Sequence, residues 1–135
     1  MSIGDLQSIV DLEQSIRQPF AALTSSYCMI ADTAKSSPSA PALSFFLTAE
    51  DYATPVTWSY QELLAEITQT ANLLRRLGLR KGEVVAYVLP NLPETHLAVW
   101  GGETAGIAFA VNTSLDGEQM GELLREAGTR WIITT

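Results

Sequence analysis

The chain has 135 residues, 47% apolar and 17% charged, a globular composition that suffices for one domain or one lobe of a larger one. Its net charge of −7 excludes nucleic acid as an expected partner, because phosphates are held by clustered Lys and Arg and the only lysines are Lys35 and Lys81. No apolar run is long enough for a transmembrane helix, the N-terminus lacks the basic start and apolar core of a signal peptide, and Cys28 stands alone, so the expected compartment is the cytoplasm.

Residues 1–41 read as an N-terminal helical segment and linker. Pro19 fits the first turn of a helix running through Phe20, Leu23, Tyr27 and Ile30, where its missing N–H costs nothing. Ser36-Ser37-Pro38-Ser39-Ala40-Pro41 then breaks the pattern. Leu43–Leu47 and Val56–Trp58 are apolar, aromatic and β-branched runs on either side of a polar stretch, which predicts a hairpin with a long loop.

Ser59-Tyr60-Gln61-Glu62 is a capping box, in which serine hydroxyl and glutamate carboxylate each serve a free backbone N–H. Tyr60, Leu64, Ile67, Ala71 and Leu74 follow at helical spacing. Gly78 falls where a left-handed stop is needed, and Arg75 and Arg76 in the last turn suit the macrodipole. Lys81-Gly82 turns into a strand over 84–89. Asn91 is the expected cap of the next helix, with Pro93 in its first turn and Glu94 three residues past the cap. That helix runs to about Thr104, and a strand over 107–111 follows. Ser114 or Asp116 caps a third helix with Met120, Leu123, Leu124 and Ala127, which stops at Gly128. Trp131–Thr134 is the last strand. Strands alternating with helices predict α/β architecture: part of a doubly wound parallel sheet with flanking helices, preceded by the helical segment and the hairpin.

No residue stands out as a site. Gly101-Gly102-Glu103-Thr104-Ala105-Gly106 sits at a helix-to-strand junction, whereas a phosphate loop needs glycines at a strand-to-helix junction, so close packing explains it better. His96 is the single histidine and has no second ligand at metal spacing. No G-x-S-x-G elbow is present, and Cys28 reads as a small apolar filler.

From Val56 to Thr135 the chain resembles the N-terminal part of the adenylate-forming (AMP-binding) enzymes, the acyl-CoA synthetases and acid–CoA ligases. The resemblance rests on Thr57-Trp58-Ser59-Tyr60-Gln61-Glu62-Leu63, then Gly78-Leu79-Arg80-Lys81-Gly82-Glu83-Val84-Val85-Ala86, then Leu89-Pro90-Asn91 with Glu94. It ends with Ala105-Gly106-Ile107-Ala108-Phe109-Ala110-Val111-Asn112, Leu115 and the helix from Glu118 to Glu126. Ala110 and Thr113 depart from it, standing where the family usually has prolines that shape a loop. Gly106-Ile107 and Asn112 lean toward acyl-CoA synthetases over peptide-synthetase adenylation domains.

The resemblance implies a parent enzyme that joins a fatty or other carboxylic acid to ATP as an acyl-adenylate and then transfers the acyl group to CoA, using Mg²⁺. The family's Ser/Thr/Gly-rich loop ending in Pro-Lys, its acidic nucleotide motif and its mobile catalytic lysine have no counterpart here, and Lys81 matches a structural turn. Accordingly no catalytic, cofactor-binding or metal-binding residue carries over. Residues 42–135 are expected to be a partial N-terminal α/β subdomain cut at 135, inactive alone and prone to self-association through faces left uncovered. Two other readings stay open at this point, a complete small α/β protein-interaction module and a noncatalytic regulator derived from the family.

Overall fold

The computed structural model describes residues 5–20 and 25–135. Helix α1 spans Leu6–Phe20 and α2 spans Ser26–Ser36. The expected helix beginning at Pro19 is therefore corrected: Pro19 and Phe20 belong to the end of α1, and Leu23 lies outside the described residues. Tyr27 and Ile30 fall on α2, which starts later because Ser25 is its cap, with a hydroxyl accepting the Cys28 N–H at 3.2 Å.

Strands β1 (Pro41–Phe45) and β2 (Val56–Ser59) form the antiparallel hairpin, joined through a 3₁₀ turn over Ala49–Ala53. The first strand starts and ends two residues before its expected bounds, leaving Phe46 and Leu47 exposed outside it. Pairing stops at Phe45 opposite Val56 because Pro55 follows in the partner direction and has no N–H to extend the ladder.

Helix α3 (Tyr60–Arg76) begins on the expected capping box. Ser59 Oγ accepts the Glu62 N–H at 3.3 Å, and Glu62 Oε2 accepts the Ser59 N–H at 2.8 Å. It buries one stripe, Leu63, Ile67, Ala71 and Leu74. Gly78 ends it at φ 103°, a left-handed conformation open to glycine at little cost.

The parallel sheet has the order β4–β3–β5, built from β3 (Val84–Val88), β4 (Ile107–Ala110) and β5 (Trp131–Thr134). Helices α4 (Pro93–Ala105) and α5 (Gly117–Glu126) connect these strands. The chain moves from β3 to one neighbour, then crosses back over β3 to the other. Right-handed crossovers in opposite directions place α4 and α5 on opposite faces. Val85 pairs with Ala108 and Trp131, and these side chains meet the α3–α4 layer, where Ala71, Leu74, Leu79 and Ala105 complete the core. Phe109 alternates to the other face, beside Leu123 and Ala127 near α5.

The cap of α4 is Leu92 rather than Asn91. Pro93 occupies the first helical position and forces the residue before it into the extended region, so the boundary falls at Leu92 with φ −129° and ψ 163°. Thr95 supplies the polar cap, its hydroxyl accepting the Leu92 N–H at 3.4 Å and donating to the Pro90 carbonyl. For α5 the cap is Asp116, whose Oδ1 accepts the Gln119 N–H at 2.9 Å.

Candidate functional site

In open α/β sheets ligands sit outside the carboxyl ends of the strands, at the point where connections leave in opposite directions. The connections that leave the carboxyl ends of β3 and β4 are residues 89–92 and the loop over 111–116. Both segments are tied down locally. The Val111 N–H donates to the Tyr87 carbonyl at 3.0 Å, and Asn112 Oδ1 accepts the Ser114 N–H at 2.9 Å. The charged side chains nearby are Glu94, Asp116 and Glu118, all in the first turns of the two helices or capping them. No Lys or Arg occurs between Lys81 and Arg125. Helix N-termini favour anions, but among the described residues these two helix starts carry carboxylates, with no Lys or Arg in either connection to neutralise a phosphate.

Three cations stand at the opposite edge. Arg75, Arg80 and Lys81 line a cleft of about 620 Å³ at the amino ends of β3 and β4, together with Glu103 and Thr104. Arg75 Nη2 donates to the Thr104 carbonyl at 2.8 Å, satisfying a group in the last turn of α4. Arg80 contributes its backbone N–H to Glu83 Oε2 at 2.8 Å, and Glu83 also meets Arg130 at 3.6 Å. Lys81 is exposed in the turn before Gly82, which has φ 86°. These positions end helices and start strands.

The glycine cluster behaves as packing. A Cβ at Gly102 would lie 3.1 Å from Ala108 Cβ and 3.2 Å from Val85 Cγ1, and one at Gly106 would strike the Glu83 carbonyl at 2.5 Å. His96 lies with its ring centroid 5.4 Å from that of Trp100 at a tilt of 33°, one turn along the same helix. Cys28 is half-buried rather than a fully buried filler. Among the described residues, no three His, Cys, Asp or Glu side chains converge as a metal set. Donors at helix starts hold Asp5 and Glu62 below the usual carboxylate range: the Ser8 N–H, then its hydroxyl, act on Asp5, and the Ser59 N–H, then its hydroxyl, act on Glu62. Both residues are exposed.

Two contacts invisible in the sequence fasten α2 to this layer. The Tyr27 hydroxyl pairs with Thr68 Oγ1 on α3 at 3.0 Å, and Ser26 Oγ donates to Glu103 Oε2 on α4 at 2.8 Å. Their sequence separations leave no periodic signal.

Comparison with known proteins places this architecture. The profile of the AMP-binding enzyme family matches residues 30–135. A marinolic acid–CoA ligase of Pseudoalteromonas sp. is 28% identical over 133 residues, 98% of this chain and 20% of the relative. A crotonobetaine/carnitine–CoA ligase of Salmonella paratyphi A is 36% identical over 80 residues, 58% of this chain and 15% of the relative. The chain thus spans about a fifth or less of the length of these relatives. Among solved structures, the N-terminal domain of FACL13 from Mycobacterium tuberculosis superposes with a TM-score of 0.67 at 26% identity, covering 80% of this chain and 26% of that one. The Klebsiella oxytoca NpsA N-terminal subdomain gives 0.69 at 23% identity over 83% of this chain and 28% of that one, a likeness of fold. With more than half of its residues inside the family profile and its parallel sheet shared with these subdomains, the chain belongs to the AMP-binding enzyme family.

Proposed function

We propose that this chain is the N-terminal scaffold of an AMP-forming acid–CoA ligase, contributing part of the α/β layer on which the catalytic machinery is mounted. The observation that carries the scaffold reading is the separation of charge across the sheet. The cations Arg75, Arg80 and Lys81 lie at the amino ends of the strands, whereas among the described residues the connections leaving the carboxyl ends of β3 and β4 carry the carboxylates Glu94, Asp116 and Glu118. The described residues do not fit ATP or Mg²⁺, since phosphate transfer needs cations and metal ligands converging on the transferring group. No step of the reaction is therefore assigned to them. The ligase reading is supported by the curated relatives, which are named as CoA ligases.

In this reading the longer protein takes a fatty or other carboxylic acid, ATP with Mg²⁺, and CoA, and works in the cytoplasm. Among the described residues no helix is long and apolar enough to cross a membrane. The separate chain leaves Leu73, Leu77 and Ile132 more than half exposed on α3 and the free edge of β5, so it associates with itself in solution.

Two measurements test the two halves. Titration of Mg²⁺-ATP into the 135-residue chain in a calorimeter should give no micromolar binding, and micromolar binding would overturn the inert scaffold. A protein carrying this chain together with the following segment of its relatives should exchange pyrophosphate into ATP when supplied with a suitable carboxylic acid. Failure across short, medium, long and aromatic acids would overturn the ligase and favour a noncatalytic relative.

A further inference from the structure

We draw no further inference here: the strongest candidate, the basic cleft of Arg75, Arg80 and Lys81 at the amino ends of β3 and β4, carries nothing, because Arg75 is bonded to the last turn of α4, Arg80 and Lys81 are exposed residues of the turn before β3, and no second observation there points to a ligand.

Discussion

Gly101 on α4 lies against Thr70 on α3 so closely that a Cβ at the glycine would stand 2.5 Å from Thr70 Cγ2 and 2.7 Å from Thr70 Cβ. The threonine has little freedom to yield. Its Oγ1 donates to the Glu66 carbonyl at 2.9 Å, which fixes the rotamer, and its Cβ moves only with the backbone. This contact sets how closely the two helices approach above the sheet.

Gly101→Ala should therefore destabilise the fold. Alanine gains about 1 kcal/mol of helix propensity, but overpacking a fixed contact costs about 1–3 kcal/mol, and a clash with backbone-anchored Cβ belongs at the upper end. Thermal unfolding should shift down by several degrees, and adding Thr70→Ala should recover part of the loss by removing Cγ2. A Gly101→Ala protein as stable as the parent, with no gain on adding Thr70→Ala, would show that the contact is not a rigid one.

Ser59→Ala removes the hydroxyl half of the capping box and should lower stability by about 1 kcal/mol in urea unfolding. Loss confined to noise would mean that the box does not hold the start of α3.

The same box predicts an acid dependence. Glu62 is lowered in the folded state, first by the Ser59 N–H and then by its hydroxyl. Its contribution is present above the unfolded glutamate pKa of about 4.3 and is lost as pH falls through the lowered folded value. Glu62→Gln should flatten this part of the stability–pH curve. An unchanged acid slope in the variant would assign the dependence to other carboxylates.

Tyr27→Phe deletes the hydroxyl that joins α2 to Thr68 and should weaken that attachment by roughly 0.5–1.5 kcal/mol. Hydrogen exchange should quicken in α2 while β3, at the centre of the sheet, keeps its protection. Equal acceleration in both would show that α2 opens only with the whole fold.

In the ligase proposed above, Lys81→Ala should leave kcat and KM for ATP unchanged, because the lysine stands at the amino edge of the sheet. A large fall in kcat would move the active centre to that edge. In the separate chain, Leu77→Lys should shift light scattering toward the monomer; scattering identical to the parent's would mean that the α3–β5 face is not where copies meet.

Local chemistry was legible wherever donor, acceptor and spacing lie within a few residues. The Ser59–Glu62 box and the Gly78 and Gly128 stops are such cases, and of the two caps open for α5, Ser114 and Asp116, the structure uses Asp116. The Asn91 cap failed on a short-range competition, since the extended backbone before Pro93 moved the boundary to Leu92. The helix placed from Pro19 failed because a proline in α1's last turn mimics the proline of a helix start. The scaffold character of the glycine cluster was readable from its place at a helix-to-strand junction, though its partners were not.

By itself the sequence determined the alternation of helix and strand and the ends of most helices, because each depends on hydrogen bonds and backbone preferences between near neighbours. Only the tertiary structure decided the strand order β4–β3–β5, the Gly101–Thr70 approach and the attachment of α2 through Tyr27–Thr68 and Ser26–Glu103. It also decided that Arg75, Arg80 and Lys81 share one cleft at the amino ends of β3 and β4. These depend on which faces meet when the apolar stripes of α3 and α4 are buried against the sheet, a choice made by packing between segments distant along the chain.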